Sequence, residues 1–274
     1  MTLSLGGPLI LVGAGKMGGA MLAGWLADGL DPETVTVLDP APGDNIRKLV
    51  KEQGLNLAGD AEALPEEAAV MVLAVKPQIM DEALPAVKNA VSERTAVLSI
   101  AAGKTIASLA AHLGPDAAIV RSMPNTPAAI GRGITVACAN DRVRPEQKNK
   151  CDELLRAAGA VAWTEDETAL DAVTAVSGSG PAYVFLLAEC MEEAGVQAGL
   201  ERGLARQLAR ETVSGAGELL RQSDDDAAIL RQNVTSPGGT TATALEVLMG
   251  VEGMQGLMVR AVKAAAERSR ELSS

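Results

Sequence analysis

Two short stretches of this sequence place glycines where a helix must begin, the second with hydroxyl side chains beside them. They are Gly13-Ala14-Gly15-Lys16-Met17-Gly18 and Ser236-Pro237-Gly238-Gly239-Thr240-Thr241. A helix N-terminus presents unpaired N–H groups and a partial positive charge, so either stretch can receive an anion. The first has G-x-G-x-x-G spacing. Gly13 permits a tight turn after a strand, Gly15 lets backbone approach a pyrophosphate, and Gly18 lets the helix lie close to a sheet. This pattern serves dinucleotide binding when a strand precedes it and a helix comes after, as the apolar Leu9 to Val12 run and the sequence after Lys16 indicate. In the second stretch, Gly238 and Gly239 expose N–H groups just where Thr241 to Met249 reads as a helix, which suits a small carboxylate. Thr240 and Thr241 add hydroxyls able to bond a carboxylate oxygen or a ring nitrogen.

The elements that must position these groups can be read from periodicity. Short apolar runs at Leu9 to Val12, Val35 to Leu38, Val70 to Ala74, Ala96 to Ile100, Ala118 to Arg121 and Ile134 to Cys138 alternate with helix-like stretches. A last short strand is expected around Val161 to Thr164. This is the pattern of a Rossmann-type parallel sheet covered on both faces by helices. Ligands of such sheets lie at the carboxyl ends of the strands, which draws attention to the residues just past each strand. Asp39 ends the second strand, about 20 residues beyond the glycine loop. It reads either as the acceptor for a ribose hydroxyl, which would favour NAD over NADP, or as a turn residue before Pro40 with Arg47 left to meet a phosphate. Ala74-Val75-Lys76-Pro77-Gln78 puts Lys76 at a strand end, where it meets an anionic group or is a solvated residue before a proline-forced bend. Ser99-Ile100-Ala101-Ala102-Gly103 leaves its strand with small residues, suited to a flat ring or to a plain turn. In Arg121-Ser122-Met123-Pro124-Asn125-Thr126-Pro127, Asn125 reads as a turn cap before a ligand contact.

Beyond the acidic turn Thr164 to Glu167 the periodicity becomes helical, and the domain boundary is placed there: 1–164 for the dinucleotide-binding domain, 165–274 for an all-helical substrate and dimerisation domain. In Ser177-Gly178-Ser179-Gly180-Pro181-Ala182-Tyr183, Pro181 suits a first helical turn and Ser179 an N-cap. Leu204, Leu208, Ala216, Leu219 and Leu220 mark one amphipathic helix; Met254, Leu257, Met258, Ala261, Val262 and Ala265 mark another. Pro181 to Ala194 is apolar around most of its circumference, and a domain of this size buries such a helix most easily against a second copy, so a homodimer is expected.

Composition narrows the classes. The 274 residues are 47% hydrophobic and carry a net charge of -11, with four aromatic residues, Trp25, Trp163, Tyr183 and Phe185. An acidic, aromatic-poor chain is a poor partner for nucleic acid. Cys138, Cys151 and Cys190 are widely separated and lack a CxxC pair, which suits a reducing compartment. His112 is the only histidine, so a metal site is not expected. No apolar run approaches the roughly 20 residues of a membrane span, and a cytoplasmic protein is expected.

Taken in order, the glycine loop, AVKPQ, SIAAG, RSMPNTP, DAVTAVSGSGPAY and NVTSPGGTTATALEVLM resemble the pyrroline-5-carboxylate reductase family across nearly the whole chain. The resemblance implies reduction of the cyclic imine 1-pyrroline-5-carboxylate to L-proline with NADPH or NADH. It implies an α/β fold, with the Rossmann domain joined to a helical dimerisation domain of the 6-phosphogluconate dehydrogenase C-terminal type. It also implies homodimers that assemble into rings such as decamers. By position, Gly13, Ala14, Gly15, Lys16, Met17, Gly18, Asp39, Ala74, Val75, Lys76, Pro77, Ala101, Ala102 and Gly103 are implied to line the cofactor. Asn233 is implied to touch cofactor and substrate. Gly239 and Thr240 are implied to hold the substrate carboxylate, Thr241 to meet the ring nitrogen as the catalytic residue, and Glu167 to lie near the substrate. Asp39 and Asp60-Ala61 depart from residues common in the family, which leaves the coenzyme open. A β-hydroxyacid-type dehydrogenase, the competing enzyme class, needs a lysine on a helix of the second domain, and Val173 to Leu220 contains none. A non-catalytic dinucleotide-binding protein would not be expected to keep Ser236 to Thr241 intact.

Overall fold

A computed structural model describes residues 3–273. The chain forms two compact units, one running to Gly178 and taking in the chain from Ala266 on, the other Ser179–Ala265.

The first unit is an eight-stranded sheet: β1 Leu9–Val12, β2 Val35–Leu38, β3 Asn56–Ala58, β4 Val70–Leu73, β5 Ala96–Ser99, β6 Ala118–Met123, β7 Gly133–Ala139 and β8 Gly159–Trp163. The spatial order is β3-β2-β1-β4-β5-β6-β7-β8. Helices α1 Lys16–Ala27, α2 Asp44–Gln53, α3 Met80–Val87, α4 Ile106–Leu113, α5 Pro145–Arg156 and α6 Ala169–Val173 connect or succeed the strands. Strands β1, β2 and β4 are buried at every position. Leu9 and Leu11 of β1 enter one core with Trp25, Val35 and Leu154, while Ile10 and Val12 enter a second with Met71, Met80 and Leu109. This two-sided burial explains why the strands read as unbroken apolar runs.

The structure departs from the expected sheet in two places. The short strand β3 has no apolar signature because only Ala58 of its three residues is buried; it pairs with β2 at the sheet edge. The sheet is also not wholly parallel. β7 runs antiparallel to β6, and β8 runs parallel to β7. Residues 124–132, built around the turn Thr126–Ile130, join β6 to β7, and that connection is too short for the crossover a parallel pair requires.

The domain boundary moves as well. α6 lies beyond the expected division after Thr164, yet it packs beside β6 and β7. The chain's final turns belong to the same unit, where the Ser269 hydroxyl donates to Asp171 Oδ1 at 2.6 Å. After α6, residues Thr174–Gly178 form a π-helical turn, and α7 begins at once at Gly180. In sequence the glycines here read as preceding a helix start, with Ser179 its N-cap and Pro181 in its first turn. The helix instead runs through them, and Ser179 makes no side-chain cap. The extra residue of a π turn absorbs what would otherwise be a break. For the same reason the expectation of no membrane-length apolar run needs correction. Ala169–Gln197 is a helical stretch of 29 residues, with mean hydropathy 1.3 over its most apolar window, long and apolar enough by length and composition to cross a membrane.

The second unit contains α7 Gly180–Gln197, α8 Arg202–Gln222, α9 Ala227–Asn233, α10 Thr240–Leu248 and most of α11 Met254–Ser273. Small residues let α7 and α8 approach: a methyl group at Gly195 would lie 3.2 Å from Ala205 Cβ, and Ala205 and Ala209 are buried. Arg206 and Arg202 pair with Glu192 along the same helix pair. The expected amphipathic residues lie on α8 and α11, but their apolar faces are open. Leu204, Leu208, Leu219, Leu220, Leu257 and Met258 are exposed, and Phe185 on α7 is 62% exposed. Exposed apolar residues in such numbers are what an association face presents.

One contact of the first unit has a measurable consequence. Trp25 of α1 is fully buried, and its indole N–H donates to the Leu154 carbonyl of α5 at 2.8 Å. Ala158 N–H bonds the Leu155 carbonyl, so the Leu154 carbonyl is among those at the helix end that look outside the helix for a donor. Trp25→Phe keeps most of the apolar volume but orphans that carbonyl, and is expected to cost about 1–3 kcal/mol. Urea denaturation of the two proteins measures it.

Candidate functional site

The expected anion-binding loop lies at the switch point of the sheet, where the chain leaves β1 for β2 on one side and β4 lies on the other. Gly13 has φ +85°. Its N–H donates to the Leu38 carbonyl at 2.9 Å, and the Ala74 N–H donates to the Val12 carbonyl at 2.8 Å. The ends of β1, β2 and β4 are therefore laced together around the loop. A side chain at Gly13 would collide with Val75, 2.7 Å from its Cγ1. One at Gly18 would lie 2.5 Å from the Gly13 carbonyl oxygen and 2.9 Å from Ala74 Cβ. Gly15 is different, since nothing lies within 4 Å of where its Cβ would be. It opens α1 with no side-chain cap and no acidic residue in the first turn, so the helix's leading N–H groups carry no internal anion. Beside it, a cavity of about 930 Å³ is lined by Ala14, Gly15, Lys16, Gly19 and the start of α2 at Gly43 to Ile46. Lys16 is exposed there, Met17 half-buried.

Asp39 makes the turn bond that one reading of it expects, and a further bond to the glycine loop. Its Oδ1 accepts from Ala41 N–H at 2.9 Å, a turn bond, and its Oδ2 accepts from Ala14 N–H at 3.0 Å, inside the glycine loop. Asp60 caps a short turn by accepting from Glu62 N–H at 3.1 Å.

After β4, Ala74, Val75 and Pro77 are half-buried and Lys76 is exposed. After β5, Ala101 is buried, Ala102 exposed and Gly103 half-buried. Gly103 has a cause that sequence did not indicate: at φ +74°, its Cβ would stand 3.0 Å from the Leu272 carbonyl oxygen, so the last turn of the chain packs on this loop. Next to it, Lys104 pairs with Asp81 at 2.8 Å, and His112 Nε2 lies 3.2 Å from the same carboxylate. The hydrogen bond from Lys104 holds the Asp81 carboxyl below its ordinary value. His112 thus occupies a surface ion cluster at the end of α4.

Glu167 has protein partners. Its Oε1 accepts from the buried Arg121 guanidinium and from Ile106 N–H, both at 2.8 Å. Burial raises the nearby Cys138 thiol, with the Glu167 charge adding to the effect. Arg121 stands within the RSMPNTP motif, and sequence reasoning assigns it no task. The signal is nonetheless present: an arginine inside the apolar run Ala118–Met123 must find an acid when buried. Asn125 neither caps its turn nor stands free. Its side-chain N–H donates to the Ser177 carbonyl in the π turn at 3.1 Å, and its Oδ1 accepts from Ile134 N–H at 2.9 Å. Two motifs that are independent in sequence are joined by this one amide, and Met123 packs within 2.6 Å of where a Gly178 side chain would begin.

In the helical unit, Asn233 ends α9 and is exposed. The turn after it passes through Gly238 at φ +70°, and Gly239 N–H donates to the Ser236 carbonyl at 3.0 Å. Gly239 then opens α10 with no side-chain cap and no acidic residue in its first turn. Thr240 and Thr241 are the first two residues of that helix, so their N–H groups have no intrahelical partner. This second uncapped N-terminus, flanked by two hydroxyls, is equipped to hold a carboxylate.

An open α/β sheet with a glycine loop at its switch point, continued by a helical unit with a large apolar face, defines a two-domain dinucleotide-dependent oxidoreductase. Known proteins narrow the class. Residues 167–272 match the pyrroline-5-carboxylate reductase dimerisation family, and residues 9–103 match the family described as NADP oxidoreductase coenzyme F420-dependent. The pyrroline-5-carboxylate reductase of Pseudomonas aeruginosa is 39% identical over 266 residues, covering 97% of this chain and 96% of that protein. A Coxiella burnetii pyrroline-5-carboxylate reductase structure superimposes with a TM-score of 0.91 at 35% identity, covering 98% of this chain and 99% of that one. The Plasmodium falciparum pyrroline carboxylate reductase, solved with NADP bound, gives 0.83 at 31% identity and the same coverage. The chain belongs to the pyrroline-5-carboxylate reductase family.

The glycine geometry separates two kinds of substitution. Gly18→Ala forces its methyl group into the Gly13 carbonyl and is expected to destabilise by roughly 1–3 kcal/mol, as overpacking does. Gly15→Ala meets open space at an ordinary φ of -66° and is expected to stay within about 1 kcal/mol of the parent. Thermal denaturation of both variants checks the contrast.

Proposed function

We propose that this protein reduces 1-pyrroline-5-carboxylate to L-proline with a reduced nicotinamide dinucleotide, as the names of its relatives over nearly the full chain imply. The observation that carries the reading is the presence in one chain of two uncapped helix N-termini, one at Gly15 and one at Gly239, each free of acidic residues in its first turn. The first suits a pyrophosphate, the second a small carboxylate. The open space at Gly15 and the bare first turn of α1 fit a dinucleotide.

The N–H groups that open α1 hold the pyrophosphate, and Lys16 adds a positive charge beside them. Ala74, Val75, Lys76 and Pro77, with Ala101, Ala102 and Gly103, line the nicotinamide half, and Asn233 meets both ligands. Bound coenzyme supplies the hydride. Gly239 and Thr240 hold the substrate carboxylate through backbone N–H groups, and the Thr241 hydroxyl bonds the ring nitrogen as it becomes an amine. A protonated imine is already electrophilic at carbon, so the protein's task is to orient it in a dry site, and no strong general base is required. Glu167 lies near the substrate in this reading, with Oε1 held by Arg121 so that the carboxylate keeps one orientation.

The apolar faces of α7, α8 and α11 are covered by a second copy, on which larger rings such as decamers can build. The match of residues 167–272 to a dimerisation family favours this occupant over a lipid bilayer for the apolar stretch Ala169–Gln197. The reading places the enzyme in the cytoplasm, with its free thiols reduced.

Purified protein is expected to oxidise reduced coenzyme only when 1-pyrroline-5-carboxylate is present, monitored by absorbance with NADH and NADPH in parallel. Folded protein inert with both coenzymes would refute the reaction. Thr241→Ala is expected to lower kcat by roughly a hundredfold while leaving coenzyme affinity near that of the parent. Unchanged turnover would place the ring nitrogen elsewhere. Sedimentation should show a dimer or a multiple of it, and a stable monomer at micromolar concentration would contradict the proposed interface.

A further inference from the structure

We propose that Asp39 makes this protein an NADH-preferring enzyme, and that it does so because its carboxylate is locked to the phosphate-binding loop. The inference rests on the reading of a nicotinamide coenzyme at that loop and goes beyond it to which coenzyme is used.

An acid at the end of the second strand of such a sheet sits where the adenosine ribose lies, and its oxygens accept from the ribose hydroxyls of NADH. A carboxylate has about four acceptor positions. Here one on each oxygen is taken, by Ala14 N–H at 3.0 Å and Ala41 N–H at 2.9 Å. Those that remain suit hydroxyl donors. A 2'-phosphate brings no donor and adds negative charge facing a negative group.

Other proteins can relieve such a clash by turning the acid away. This one has the acid tied into the loop itself: rotating Asp39 off the ribose breaks its bond to Ala14, and Ala14 stands between the turn glycine Gly13 and Gly15, where the backbone meets the pyrophosphate. The strand below is held too, with Asp39 N–H donating to the Ala58 carbonyl at 3.1 Å and Gly13 N–H to the Leu38 carbonyl at 2.9 Å. Arg47 and Lys48, cations of the next segment, each already have a contact within that segment. Arg47 is drawn to the Pro42 carbonyl through Nε at 2.9 Å, Lys48 lies 3.7 Å from Glu52, and the first turn of α2 carries Asp44.

The test uses the full-length protein and two readouts. Direct titration of NADH and NADPH without imine should show NADH binding more tightly by roughly tenfold to several hundredfold, the range expected for a close charge repulsion between aqueous and protein-surface screening. The ratio of kcat/KM for the two coenzymes with 1-pyrroline-5-carboxylate should change in step with it. Asp39→Ser removes the charge and should shift both ratios toward NADPH by at least tenfold. Asp39→Asn, which keeps an acceptor for one of the two backbone N–H groups, should shift them in the same direction. NADPH bound as tightly as NADH by the unmodified protein overturns the inference, as does an unchanged ratio in a folded Asp39→Asn variant. A preference for NADH in binding without imine reduction would uphold the inference and overturn the reaction, so the two claims fail separately.

Discussion

Helix α1 has to come within van der Waals contact of the sheet at the point where β1 and β4 end, and much of the first unit is arranged to allow it. A carbonyl oxygen, that of Gly13, occupies the place where a Gly18 side chain would stand, and Ala74 closes the other side. That approach aims the helix's leading N–H groups at the sheet edge, where they find no capping side chain. The cost of leaving them unpaired is what makes the loop receptive to an anion. Strand order, the smallness of Ala74 and the bond from Asp39 to Ala14 all serve the same narrow junction.

The second unit is built on the opposite principle. Its helices bury little of themselves. α7 has no buried residue, and the buried positions of α8 are two alanines, Ala205 and Ala209. Large side chains point away from the helix pair, and small ones sit inside it. Covering these faces with a second copy, as proposed above, would couple folding to protein concentration.

Several polar contacts tie distant motifs together within the first unit. Asn125 links the loop after β6 to the π turn, Arg121 links β6 to Glu167, and Ser269 links the chain's end to α6. Each ties down a segment that is irregular or late in the chain. π turns concentrate at functional sites because they carry backbone groups out of the regular ladder. Here the Ser177 carbonyl so displaced is met by Asn125.

How far the sequence could be read depended on the range of the interaction involved. Leu9 to Val12 announced itself as a buried strand, and Gly13 to Gly18 as the loop after it, because both depend on neighbours a few residues away. The helix after Gly239 was legible for the same reason. By contrast, Leu57 gave no sign of β3, since an edge strand with one buried residue has no apolar pattern. The direction of β7 was settled by the shortness of a turn whose partner strand had to be known first. The return of the chain's end onto the first unit moved the domain boundary, because that packing joins residues far apart in sequence. Asp39 shows the division most clearly. Its type and position by themselves determined that a carboxylate stands at the end of the second strand, whereas the bond to Ala14, which holds it against the glycine loop, exists only once β1 and β2 lie side by side.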